Sequence, residues 1–203
     1  MREAYLMGPA DYTDADLTKA KFTRKEGRTT GLYAEYTLGE AQGMAEVTAA
    51  HQRPPHADLE AAFARLVPHL CFLCRAVPSI GDQGISFQWS NPYVASLVLD
   101  VDFHQRPEFA DYLVTGYSYD DKGGVVLIGQ RLLNNGKVLN LIAPREDLSP
   151  EQETGLEYPY LLQLGALLGQ ADAEVKLYLG GKTGPQVVQS ELNFSGGEDR
   201  NDA

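Results

Sequence analysis

The chain has 203 residues, 43% hydrophobic and 22% charged, with a formal net charge of −11. That length supports one large domain or two small ones around a sizeable core. The acidic balance excludes a wholesale nucleic-acid coat, since displacing counterions from phosphates needs a net basic surface, but leaves room for a local basic patch.

No apolar run reaches the roughly 18 residues of a membrane-spanning helix. The opening MREAYLMGPADYTDAD lacks the apolar core of a secretory signal. With two cysteines in one predicted helix, a reducing, cytoplasmic setting is expected.

Residues 1–17 read as a loose leader. From residue 18 to 78 the texture is that of a βββα unit. Lys19, Lys21 and Thr23 alternate with Ala20, Phe22 and Arg24, and Glu26-Gly27 makes a turn. Leu32 to Tyr36 forms a second strand and Met44 to Ala50 a third. The helix that follows carries Leu59, Phe63, Leu66, Leu70, Leu73 and Val77 at steps of three or four, one apolar stripe. Asp58 is its expected N-cap, and Pro68 is expected to kink it.

Residues 79–110 read as a connecting excursion, with a strand expected over Ser96 to Phe103. Residues 111–180 repeat the first pattern. Tyr112 to Tyr119 and Val125 to Leu133 are strands about an Asp120 to Gly124 turn. Asn134-Asn135-Gly136 makes a hairpin, and Val138 to Ala143 is a third strand. Ser149-Pro150-Glu151-Gln152 opens a helix with Leu161, Leu164 and Leu168 on its apolar face, and Glu174 to Leu179 continues as helix or a last strand. The offsets between matching turns and caps are near-constant, so the expected fold class is α+β. It comprises two pseudo-repeated strand-strand-strand-helix units, with antiparallel sheet or sheets and helices on one face. Residues 181–203 read as a mobile acidic tail.

Cys71-Phe72-Leu73-Cys74 sits late in the helix, within its apolar pattern, so packing is expected rather than redox chemistry or, with His51, His56 and His69, a zinc site. Gly180-Gly181-Lys182-Thr183 is half of a phosphate-binding loop. The earlier glycine is missing, and Gly184-Pro185 stands where a helix should open, so a helix end is expected. Asp120-Asp121 and Asp100-x-Asp102 read as solvated acids. No nucleophile with an adjacent base has a recognisable setting, and the chain is read as non-enzymatic, with no cofactor and no metal.

Two stretches suggest partners. Lys19, Lys21, Arg24, Lys25 and Arg28 crowd the first hairpin, with Phe22, Tyr33 and Tyr36 close by. Cations that hold phosphates beside rings that stack on bases are what single-stranded DNA needs. Lys21, Arg24, Lys25, Arg28, Tyr33 and Tyr36 are the candidate nucleic-acid residues, and an edge hairpin guarded by lysines is the alternative. Near the end, Gln189-Ser190-Glu191-Leu192-Asn193-Phe194 is similar to the short peptides by which bacterial replication and repair proteins dock on the sliding clamp. There Gln189 would be the polar anchor, and Leu192 and Phe194 would fill an apolar pocket.

Three segments, HADLEAAFARLVPHLCFLC, GVVLIGQRLLNNGKVLNLIAPR and EVKLYLGGKTGP, carry a family likeness. Asp58 with Pro68-His69-Leu70, Gly136 to Leu141, and Tyr178 to Lys182 resemble the shared pattern of small phage- and prophage-encoded proteins of unassigned function, of the early or DNA-metabolism type. The resemblance implies a phage context and transfers no catalytic residue. The expected function is that of a non-enzymatic accessory in DNA replication or recombination, binding single-stranded DNA or a replication protein. The other class is an acidic interaction protein that inhibits or titrates a host factor.

Overall fold

The first hairpin shows how local chemistry builds the sheet. Glu26 and Gly27 both take positive φ, 51° and 79°, the two-residue turn whose twist matches that of its strands. It joins β1 (Asp16–Lys25) to β2 (Arg28–Glu40), and β3 (Gly43–His51) folds back on β2. The computed structural model describes residues 12–40, 43–76, 102–148, 158 and 160–184. β1 begins inside the expected leader.

The second meander comprises β4 (Tyr112–Tyr119), β5 (Gly124–Leu132) and β6 (Val138–Ile142). A two-residue strand, β7 (Glu146–Asp147), also pairs with β5, at Gly124 and Val125. The described strands join one antiparallel sheet ordered β3-β2-β1-β4-β5-β6, with β7 beside β5. The two meanders are joined by backbone pairing where Lys19, Ala20 and Lys21 meet Ser118, Tyr117 and Gly116. Gly116 permits that approach, since a Cβ there would lie 2.7 Å from the Ala20 carbonyl oxygen and 3.1 Å from the Lys21 Cα.

Among the described residues, three α-helices cover one face. The apolar stripe forms α1 (Ala57–Arg65) and α2 (Val67–Leu73), divided at Leu66, so the expected kink is a full break. Pro68 lies in the first turn of α2, where its missing N–H would have had no helical partner. Leu59, Phe63, Leu66 and Leu70 are all essentially inaccessible. Each such side chain contributes about 1.5–3 kcal/mol relative to exposure. The last helix, α3 (Leu161–Leu179), runs as helix through the segment where a strand was the other expectation. Phe63 and Asp172 both meet Tyr117 of β4, which places α1 and α3 on the same face.

Several expectations are corrected. The N-cap of α1 is His56, whose Nδ1 accepts from the Leu59 amide at 3.2 Å, while Asp58 sits inside the first turn. Phe103 lies in a 3₁₀ turn (Phe103–Gln105) rather than ending a strand, drawn into a cluster with Phe72 and Phe109. Residues 96–101 of that expected strand, and the Ser149 helix start, lie outside the described residues. Asp120 is no free solvated acid. It accepts from the Lys122 and Gly124 amides at 2.9 and 2.8 Å and is ion-paired to Arg145, which together hold its carboxyl well below the usual range, the arginine bond foremost.

Candidate nucleic-acid interface

The two-residue turn places Lys25 directly opposite Arg28. Both are exposed, as are Lys21 and Arg24. Like charges facing each other across a hairpin are destabilising, and neither Lys25 nor Arg28 has an ion pair with a described residue. Arg24 reaches across to β5, donating to Gln130 Oε1 at 3.1 Å, and also to the Gly27 carbonyl. Gln130 in turn donates to Asn140 Oδ1 at 3.2 Å. Beside these groups lies an open groove of about 750 Å³ lined by Arg24, Tyr112, Gln130, Leu132 and Val138 among others.

The two tyrosines part company. Tyr33 pairs with Lys21 on the uncovered face of the sheet, its hydroxyl donating to Glu35. Lys19 Nζ lies 5.5 Å from the Tyr33 ring centroid and 3.1 Å from Glu35 Oε1. The Tyr33 bond, then Lys19, hold the Glu35 carboxyl below its ordinary value. Tyr36 is corrected. It is 3% exposed, on the helix-covered face beside Tyr12, and burial pushes its phenol up to about 12. Its ring is core and offers no base a platform. The signal was in the sequence, because residues three apart on a strand point to opposite faces. Gln189, Leu192 and Phe194 lie outside the described residues.

Lys182, of the half phosphate loop, is occupied within the chain. Its Nζ lies 2.7 Å from Asp58 Oδ2 and 3.0 Å from Glu174 Oε2. Those carboxylates and His56 are the one group of potential metal ligands among the described residues. The donor set fits an ammonium better than a metal. His56 Nδ1 is spent as the cap acceptor, so the neutral ring carries its proton on Nε2, which faces Glu174 Oε2 at 3.6 Å. Burial, followed by the Lys182 charge, lowers the His56 pKa.

Cys71 is buried, and burial pushes its thiol up to about 12; Cys74 is raised by the same cause, as expected of packing groups. His69 is fully buried with Nδ1 2.8 Å from the Tyr158 hydroxyl, and burial drives its pKa down to about 3.

Sequence reasoning missed Gln130 and Asn140, whose link to Arg24 depends on strands over a hundred residues apart. It also missed Asp172, which was legible. An acid four residues after Leu168 and three before Val175 falls on the stripe that α3 buries. Among the described residues no helix is long and apolar enough to cross a membrane. No protein-family model, curated protein or solved structure matches the chain.

Proposed function

We propose that this protein is a non-enzymatic accessory of phage or prophage DNA replication or recombination that binds single-stranded DNA through its first hairpin. The observation that carries the reading is Lys25 facing Arg28 with no acid among the described residues paired to either. A phosphate between the two cations relieves their repulsion, and Lys21, Arg24 and Tyr33 extend the contact along the sheet. The interface is local, so binding is weak and salt-dependent against the −11 background.

The test is a salt titration with labelled single-stranded DNA, comparing native protein with Arg24→Ala/Lys25→Ala/Arg28→Ala. Each phosphate contact contributes about −0.7 to the log–log salt slope. With four cations engaged the native slope is expected to be about −3, and that of the variant, which keeps Lys21, about −0.7. A flat native titration at low salt sinks the reading.

A second reading is an acidic protein that titrates a host factor without touching DNA. The burial of Tyr36 favours it, because one of the two expected stacking rings is absent from the surface. Capture of a single host replication protein, unchanged by the triple alanine, is its expected signature.

A further inference from the structure

The two edges of the sheet differ. β3 carries Glu46 and Thr48 in exposed positions. β6 closes the other end with Val138-Leu139-Asn140-Leu141-Ile142, without a charge or proline, the usual guards of a free edge. Val138, Leu139 and Ile142 are 51%, 47% and 69% exposed, and Leu132 of β5 beside them is 53% exposed.

The main chain of β6 has a defined outward set. The Leu133 amide donates to the Lys137 carbonyl at 2.8 Å, and the Ala143 amide to the Leu127 carbonyl at 2.9 Å. Antiparallel ladders alternate. Within the observed register, Leu139 and Leu141 therefore turn their N–H and C=O groups toward β5, while Val138, Asn140 and Ile142 turn theirs to the open edge.

That outward set reads the same in both directions about Asn140. We infer that β6 pairs antiparallel with β6 of a second copy of this chain, the two-fold axis passing at Asn140. In this register Val138 meets Ile142 of the second copy, Leu139 meets Leu141, and Asn140 meets Asn140. Val138, Asn140 and Ile142 each exchange both main-chain hydrogen bonds, so the symmetry centre falls on a residue whose backbone is free to pair. Every flanking pair is apolar. No like charges oppose, because Lys137 faces Ala143 and Pro144 ends the ladder. Asn140 Oδ1 accepts from Gln130 with one lone pair. Its second lone pair and its amide N–H groups suit a reciprocal bond to the same amide across the axis. A foreign strand would satisfy the backbone but not the symmetric side-chain pairing.

A five-residue strand buries less than the about 1,600 Å² of a standard interface, so dissociation in the micromolar range is expected. Sedimentation velocity of the full chain from about 1 to about 200 µM tests it. The 22.2 kDa chain is expected to pass to twice that mass with rising concentration. Asn140→Asp sets two carboxylates on the axis and should weaken the dimer at least about tenfold, with unchanged circular dichroism.

The register has its own test. Residues paired on the axis have Cα atoms about 5.5 Å apart, within disulfide reach. Asn140→Cys is expected to cross-link under mild oxidation. Lys137→Cys, about 20 Å from its copy in this register, is not, and the native chain gives the background from Cys71 and Cys74. A monomer throughout the range overturns the inference. So does a dimer indifferent to Asn140→Asp, or Asn140→Cys cross-linking no faster than Lys137→Cys.

Discussion

The Tyr117 hydroxyl donates a 2.6 Å hydrogen bond to Oδ1 of Asp172, and Tyr119 donates to Oδ2 at 2.9 Å. One carboxylate on α3 thus satisfies two hydroxyls of β4. Burial raises the Asp172 pKa, and the two hydrogen bonds only partly oppose it. With the folded pKa above the unfolded one, the neutral carboxyl is favoured, and stability falls as pH rises from the ordinary 3.8 through the folded pKa. Asp172→Ala leaves both hydroxyls without their acceptor and should cost about 2–4 kcal/mol. Asp172→Asn keeps a hydrogen-bonding group and should cost much less, with a flatter pH dependence above pH 3.8. Urea midpoints of the two variants decide it, and equal losses would refute the role given to the carboxylate.

His69 predicts the opposite pH trend. Its folded pKa of about 3 lies below the ordinary 6.5, so the unfolded chain binds the proton first. Stability is fully present above 6.5 and declines as pH falls, by at most about 1.4 kcal/mol per pH unit. His69→Gln retains a group for the Tyr158 hydroxyl and removes the titration. Urea unfolding at pH 7.0, 6.0 and 5.0 should show a smaller acid loss in the variant than in the native chain, and parallel losses would place the titrating group elsewhere.

At the start of α1 the cap itself is testable. His56→Ala removes the acceptor for the Leu59 amide and should lower stability by about 1 kcal/mol. His56→Asn, which can accept the same bond, should restore most of it. Thermal melts of the pair would show whether the imidazole caps or merely packs.

The turns were legible because their chemistry is local. Asn134-Asn135-Gly136 closes with Gly136 at φ 75°, and Leu59, Phe63, Leu66, Leu70 and Leu73 of the apolar stripe are buried, while Val77 lies outside the described residues. β7 was not legible, since Glu146 and Asp147 pair without any alternation to reveal them. The cap was misassigned because propensity favours Asp at that position, whereas Lys182, 124 residues away, draws the Asp58 carboxylate outward. The candidate interface was read in part. The cations stay exposed on one hairpin, but proximity in sequence put Tyr33 and Tyr36 together, and the period of a strand separates them.

The end of α3 is fastened to the first meander. The Tyr178 hydroxyl donates to the Arg53 carbonyl at 2.6 Å, and the Gly184 amide to the Pro54 carbonyl at 2.9 Å. During synthesis, β1, β2, β3 and α1 therefore leave the ribosome well before the helix that completes their buried face. At 5–20 residues per second the interval between Leu59 and Tyr178 is on the order of ten seconds. For that time the nascent chain exposes apolar surface that its own later residues go on to cover.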